Sequence, residues 1–400
     1  MLNLDKKKRY LLACSFGPDS MALFDMLLNN SVDFDVAHVN YHLREESNYE
    51  EVSLRRYCEQ NNKKIFVKNL EQSIKGNVEA ACRSIRYSFF SDLYKNGDYD
   101  SVLVAHNQDD LIETYLMQKA RKNLVNCFGI AEFSVINGVP IRRPLLDYTK
   151  AQLQEYCDTN KIPYSIDKTN LERAYLRNRI RMDIVSHLTK EERKAYIDQI
   201  KQENEALDAI KNKIVKTTND ISSLLGLNDV ELAYYLDSKI KLINPSFKLT
   251  HKGVDEVRDI MRSKKPNITL NVGGKISIIK EYSLLNISSI KKNKQGFIFR
   301  IEQPCKMDNE FFCLDFLGDT SNRNISLTDY PLTIRTYQSG DTYHIKNYSV
   351  QVRRLFIDWK MPMSLRKRWP IILNKDNKIV YIPRYREEFV PDSSTNFYVK

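Results

Sequence analysis

The sequence predicts an α/β domain built on a parallel sheet, followed by a helical middle domain and a small α+β C-terminal domain. Three observations lead there. Over residues 8–120 short apolar runs alternate with longer stretches of helical spacing, the pattern of strand–helix–strand units. Residues 190–215 carry a narrow apolar stripe (Ile197, Ile200, Leu207, Ile210, Ile214) on a very polar background. From about residue 325 onward Tyr, Ile and Val alternate with polar residues between Gly and Pro. The expected divisions are 1–190, 191–320 and 321–400.

The elements follow in order. Residues 10–15 form a short apolar run that ends at Gly17-Pro18, so they read as a first strand. Residues 20–28 place Met21, Leu23, Phe24, Leu27 and Leu28 at helical spacing. Residues 34–40, 65–70 and 101–105 are strand-like, and 47–61, 78–94 and 109–119 read as helices, the second with an aromatic face of Tyr87, Phe90 and Tyr94. In such sheets ligands sit at the carboxyl ends of the strands. The turns 15–20, 40–44 and 105–110 are therefore where a site is expected. Thr149 reads as an N-cap for a helix reaching about Cys157. The stripe in 190–215 marks a connecting helix, and its heptad-like spacing is compatible with a homodimer. Residues 216–300 read as a smaller helical module with some strand near its end.

Composition narrows the class. The 400 residues are 42% hydrophobic and 28% charged, which supports ordinary buried cores and argues against global disorder. Lys and Arg outnumber Asp and Glu 62 to 51, giving +11. That surplus fits a polyanion partner, and it also fits a merely Lys-rich proteome. The seven cysteines are scattered with no CxxC pair, so a clustered zinc or iron–sulfur site is not expected. The set reads as reduced cytosolic thiols. The N-terminus has too short an apolar run for a signal peptide, and no stretch approaches the roughly 18 apolar residues of a membrane span. A cytoplasmic protein without a membrane partner is expected.

The chemistry concentrates in the strand-to-helix turns. Ser15-Phe16-Gly17-Pro18-Asp19-Ser20 places a glycine turn, two hydroxyls and one carboxylate at a helix N-terminus. Exposed backbone N–H groups and the positive dipole end there suit a polyphosphate, and Asp19 could hold Mg²⁺. No Lys follows, so this is not GxxxxGK(S/T). A plain capped strand–turn–helix is the alternative. His106, Asp110 and Glu113 fall at i, i+4 and i+7, one face of a helix at a strand exit, with Asp109 one residue off it. A His with two acids suits metal binding and proton handling near a triphosphate, while acids at a helix start also occur for the dipole alone. His38 and His42 lie on a strand end and a loop, not a helix, which argues against a metal pair. Arg44 and Arg83 sit at strand exits, where contact with phosphate or nucleic acid is expected. Arg173, Arg177, Arg179 and Arg181 form a dense cluster opposed only by Glu172, suited to bidentate phosphate contacts; a solvated basic face is the alternative. Residues 331–370 hold eight Lys/Arg and two Asp/Glu, interleaved with Tyr343, Tyr348, Trp359 and Trp369. The basic groups suit a nucleic-acid backbone. The aromatics could stack on bases or fill a small core.

The hexapeptide at 15–20 resembles the SGGxDS motif of the PP-loop (N-type) ATP pyrophosphatases, with Phe16 where that family has Gly. Four further segments resemble the tRNA(Ile)-lysidine synthetase family in order. His38-Val39-Asn40-Tyr41-His42-Leu43-Arg44 is similar to HVNHGLR. Glu79 through Tyr87 is similar to E-A-x-R-x-x-R-Y and includes Arg83 and Arg86. Ala105 through Thr114 is similar to AHHxDDxxET. Asp167-Lys168-Thr169-Asn170 with Tyr175 through Arg181 is similar to D-x-(S/T)-N…Y-x-RNxIR. Arg143-Pro144-Leu145-Leu146 lies between these in the expected order. The likeness covers 8–185 and, more loosely, 330–385, where the segment containing Arg366, Lys367 and Arg368 resembles a tRNA-binding domain. A Gly-rich stretch usual to the family is missing from 121–138.

The resemblance implies a ligase using ATP and Mg²⁺ on tRNA(Ile) with a CAU anticodon, with free L-lysine as second substrate. It places ATP on Ser15, Phe16, Gly17, Pro18, Asp19, Ser20, His38 and Asn40, and Mg²⁺ on Asp19 and Asp110. Asp19, His106, Asp110 and Glu113 would serve catalysis. Arg44, Arg83, Arg86, Arg177, Asn178, Arg179, Arg181, Arg366, Lys367 and Arg368 would meet the tRNA. The wobble cytosine is adenylated and then attacked by lysine, so decoding changes from AUG to AUA. His106 or a nearby acid would take lysine's proton. Rival readings are a tRNA thiolase, which should carry catalytic cysteines, a small-molecule synthetase, which would not need the Arg cluster, and a non-catalytic RNA-binding protein, against which the intact Asp19, Asp110 and Glu113 argue.

Overall fold

The computed structural model describes residues 2–43, 46–70, 78–166, 176–290, 296–317, 325–345, 348–385 and 397–399. They fall into two compact units, Met1–Ala209 and Ile210–Lys400.

In the first unit strands and helices alternate. β1 (Arg9–Ala13), α1 (Pro18–Asn29), β2 (Asp33–Asn40), α2 (Glu46–Gln60), β3 (Ile65–Asn69), α3 (Val78–Asn96), β4 (Ser101–Val104) and α4 (Gln108–Arg121) follow one another. The hairpin β5 (Phe133–Ile136) and β6 (Val139–Arg142) comes next, then α5 (Lys150–Thr159), α6 (Leu176–Asp183) and α7 (Lys190–Lys216). The sheet order is β3-β2-β1-β4-β6-β5. Pairings among β1 to β4 and β4 with β6 are parallel, and only edge strand β5 runs antiparallel. The strands sit between two apolar layers: Leu12, Phe24, Phe34 and Val36 on one side, Leu11, Tyr87, Phe90 and Val102 on the other. Both faces being covered explains why β1 and β4 read as continuous apolar runs rather than as alternation.

The chain leaves β1 toward β2 and β3, then returns to place β4 on β1's other side. That reversal opens a crevice at the carboxyl ends of β1 and β4, where ligands bind in open α/β sheets. The β5–β6 hairpin is an addition to the expected elements, although Asn137-Gly138 carries its signal. Both residues have positive φ, 52° and 79°, as a two-residue hairpin turn of this kind requires.

The second unit opens with α8 (Ile221–Leu225), α9 (Asp229–Lys241) and α10 (His251–Arg262). A three-stranded antiparallel sheet follows, β7 (Asn267–Val272), β8 (Ile276–Glu281) and β9 (Leu284–Ser289). The helical module ending in strand is therefore present. Downstream come β10 (Ile298–Ile301), β11 (Lys306–Asp308), β12 (Phe312–Asp315) and β13 (Leu332–Thr336). They are followed by β14 (Thr342–Ile345), β15 (Tyr348–Gln351), α11 (Val352–Asp358), α12 (Met363–Arg366), β16 (Pro370–Leu373), β17 (Ile379–Tyr381) and β18 (Phe397–Val399). They build the antiparallel sheets β10-β13-β16-β17 and β11-β12-β18 and the hairpin β14-β15. Trp369 is buried and donates its indole N–H to Pro383 O at 2.7 Å. Trp359 and Tyr343 pack on the same core, whereas Tyr348 is exposed. Three of the four interleaved aromatics are thus core.

Candidate active site

The β1–α1 turn is built by short polar side chains. Ser20 Oγ accepts from Ser15 N at 3.2 Å and donates to Gly17 O at 3.0 Å. Gly17 is the N-cap of α1 and Pro18 opens the helix, where its missing N–H is no loss. Phe16 takes φ +63°, the left-handed region that costs a side chain about 1–2 kcal/mol and that a Gly, as in the SGGxDS motif, adopts freely. Its ring is 2% exposed, among Met21, Leu23 and Phe24. Burial of that size contributes about 1.5–3 kcal/mol, enough to offset the strain. The side chain thus serves the core, and only the backbone of Phe16 is left for a ligand.

Asp19 stands in the first turn of α1. Its Oδ1 is buried with no hydrogen-bond partner. Burial, reinforced by the charge of Asp110, raises its carboxyl to about 6, against the opposing pull of Lys150, a hydrogen bond from Asn107, and Arg181. Asp110 is placed by a capping box: Asn107 Oδ1 accepts from Asp110 N at 3.0 Å, and Asp110 Oδ2 accepts from Asn107 N at 3.1 Å. The two carboxylates thus come from the helices that follow β1 and β4, near enough for the charge of Asp110 to act on Asp19.

A cleft of about 290 Å³ lies there. Its walls include Ser15, Gly17, Asp19 and Ser20 from the first turn, Tyr41 and Arg86 from the β2 exit and α3, and His106 from the β4 exit. Arg86 Nε donates to Tyr41 Oη at 3.2 Å, and Tyr41 donates to Cys82 O at 3.0 Å. Arg83 is exposed and lies over the Tyr87 ring at 4.9 Å.

Several sequence expectations are corrected. His106 is not on the helix face with Asp110 and Glu113, because Asn107 caps α4 and the helix begins at Gln108. His38 and Asn40 do not line the cleft. His38 Nδ1 lies 2.8 Å from Cys14 O, its ring held neutral by burial. Asn40 contacts Ser47 O, Asn48 and Glu51 and accepts from His42 N, so it orders the β2–α2 connection. Glu113 is fully buried and salt-bridged, at 2.8 Å to Arg177 Nε and 2.5 Å to Arg181 Nε. Arg177 also donates to Asp110 Oδ1 at 2.7 Å. These arginines are four apart on α6, so both face α4's acids, while Arg179 points to solvent. Of the predicted basic cluster, the three described arginines therefore divide into two anchors and one exposed cation. Asn178 is half-buried beside them. Arg366 is likewise engaged, with Met361 O and Tyr282 Oη, and Lys367 and Arg368 are exposed. Arg44 and the segment 167–175 lie outside the described residues.

Sequence reasoning missed three contributors. Asn107 shows the N-cap signature of Asn three residues before an acid. Arg143 stands in the Arg143-Pro144-Leu145-Leu146 segment and Lys150 opens α5, but no local spacing shows their relation to His106 and Asp19, which the tertiary packing sets.

A parallel sheet with a short polar turn and a buried acid at its switch point is the arrangement of a nucleotide-using α/β protein, and the family comparison makes the class a PP-loop domain. A family model described as the PP-loop domain matches residues 1–188, and one described as the TilS substrate C-terminal domain matches residues 332–388. The tRNA(Ile)-lysidine synthase of Mycoplasma mycoides subsp. mycoides SC is 32% identical over 407 residues, 95% of this chain and 98% of that one. Its counterpart in Staphylococcus epidermidis is 28% identical over 419 residues, 96% of each chain. That of Ureaplasma parvum serovar 3 is 40% identical over 192 residues, 46% of this chain and 57% of that protein. The chain belongs to the tRNA(Ile)-lysidine synthase family. Among the described residues no helix is long and apolar enough to cross a membrane.

Proposed function

We propose that this chain is the ligase that joins free lysine to C2 of the wobble cytosine in the CAU-anticodon isoleucine tRNA, in the cytoplasm, at the expense of ATP. The observation that carries the site assignment is Asp19 in the cleft wall with Ser15, Gly17 and Ser20, close enough to Asp110 to feel its charge. The turn and the N-terminus of α1 receive the phosphates of ATP. Asp19 Oδ1, buried without a partner, and the neighbouring Asp110 fit one divalent cation. Among the described residues no group of three or more His, Cys, Asp or Glu converges, which suits Mg²⁺, an ion that takes one or two carboxylates and fills its shell with phosphate and water. Such an ion would neutralise charge on the phosphates during transfer.

The cytosine carbonyl oxygen attacks the α-phosphate, and pyrophosphate leaves. The ε-amine of lysine then attacks C2, and AMP leaves. Free lysine has a side-chain pKa of about 10.4, so its ammonium must lose a proton first. Arg86, exposed Arg83 and Arg179 are the cations that the tRNA backbone meets in this unit, and Arg177 and Arg181 hold the acids in place. The division into catalytic, middle and C-terminal domains at about 190 and 320 is part of the same reading.

The test is to incubate the full chain with ATP, Mg²⁺, labelled lysine and either the isoleucine or the methionine CAU tRNA. Label that survives mild alkali on the first tRNA only is expected. Asp19→Ala and Asp110→Ala should abolish pyrophosphate release while tRNA binding survives. Near-normal turnover by either variant, or stable label on neither tRNA with the wild type, would overturn the assignment.

A further inference from the structure

His106 lines the cleft, yet its environment is unlike that of a general base. Arg143 Nε donates to His106 Nδ1 at 3.1 Å. An arginine has donors only and does not lose its proton in a protein, so Nδ1 must be the unprotonated nitrogen, and the ring proton sits on Nε2. Arg143 is itself held rigidly. It is buried, and its Nη1 donates to Ala131 O at 2.7 Å and Ser134 Oγ at 3.0 Å. Its side chain also bonds Tyr87. Among the described residues no carboxylate pairs with Arg143. A buried guanidinium that meets no carboxylate among the described residues is costly to keep, and its four hydrogen-bond contacts include the imidazole of His106. It makes sense where it fixes a tautomer and leaves positive potential beside an anion.

We infer that Arg143 is a positioning residue that holds His106 as a neutral imidazole whose Nε2–H donates a hydrogen bond into the cleft, and that His106 is therefore not the base that deprotonates lysine. The Nε2–H is the group the ring offers to a phosphate oxygen, where a fixed donor stabilises developing charge. The wider surroundings agree. Burial, then the charges of Arg143, Arg177, Arg83 and Arg86, push the imidazole down to about 3. Lysine's proton then leaves to an acceptor other than His106. This rests on the lysidine-forming reading only for the substrate named; the tautomer itself does not.

Two measurements test it. The first is the ring ¹⁵N pattern of His106 in ¹⁵N-histidine-labelled protein, assigned by His106→Gln. A neutral ring with the proton on Nε2 throughout pH 6–8 is expected, and in Arg143→Met the ring should become a tautomer mixture that titrates nearer the ordinary value of about 6.5. Proton on Nδ1, or a charged ring at neutral pH, would overturn the inference whatever the enzyme's activity. The second compares His106→Gln with His106→Ala in the full chain. The glutamine amide can supply the N–H but cannot accept a proton as a base. A loss of about tenfold for Gln against about 100-fold for Ala is expected, the latter typical of one lost donor. Equal loss in both would restore the base. If wild type transfers no lysine but the ¹⁵N pattern holds, the reaction has been misread and the Arg143–His106 relation stands.

Discussion

At the scale of the residue, Asp19 is a buried carboxyl kept at a cost to the fold. Its carboxyl is raised to about 6 by burial and by Asp110. The sign follows from linkage: the folded value lies above the unfolded one, so the folded state binds the extra proton. The resulting stability is complete below the unfolded value of about 3.9 and is lost as pH rises through about 6. Without nucleotide and metal, wild type should therefore melt at lower temperature at pH 8 than at pH 5, relative to Asp19→Asn. Between those two pH values the gap corresponds to about 1.5 kcal/mol at most, because the unfolded carboxyl is already ionised at pH 5 and part of the linkage is lost below the window. Thermal melts of both proteins across that window decide it, and parallel curves would remove Asp19 as a strained acid. Phe16 is the opposite case. Its backbone strain is offset locally by a buried ring, so this departure from the SGGxDS motif alters packing and leaves the turn's Ser15, Gly17 and Ser20 in place.

At the scale of the element, α4 and α6 act as one unit through Glu113. Its carboxylate, with no exposure, receives both Arg177 and Arg181. Breaking a buried pair leaves an uncompensated charge and costs about 3–5 kcal/mol. Because the arginines retain some solvent contact, Glu113→Gln should cost nearer about 2 kcal/mol. It should also weaken adenylation, since Arg177 helps hold Asp110. A urea titration followed by a probe in the first unit checks the stability, and an unchanged midpoint would show that the arginines have other partners. The helical spacing of Arg177 and Arg181 was visible in the sequence. That they turn inward was not, because whether an Arg faces acid or solvent depends on which helix packs against it.

At the scale of the whole molecule, positive charge left free of internal partners is what tRNA can use. Lys367 and Arg368 are exposed, whereas Arg366 ties α12 to the β8–β9 turn. Lys367→Ala with Arg368→Ala should weaken tRNA binding and reduce the slope of log K against log salt. The reduction should be about 0.7–0.9 for each phosphate that is no longer neutralised. Arg366→Ala should instead lower thermal stability. Filter binding over a salt series tests the first, and an unchanged slope would clear this surface of a role.

The sequence by itself determined the alternating α/β order and pointed to the strand-to-helix turns, from which Ser15, Gly17, Asp19 and His106 line one cleft. Periodicity and turn residues act over a few positions, so they survive in the linear text. Tertiary structure decided what each of those side chains faces. It removed His106 from the helix by giving the cap to Asn107, turned His38 and Asn40 to the scaffold, and sent Arg177 and Arg181 to Glu113. It also brought Arg143 from the end of β6 to the ring of His106. The partnerships of His38 with Cys14, Arg143 with His106, and Arg177 and Arg181 with Glu113 join residues 24 to 68 positions apart, and the packing of strands and helices fixes them.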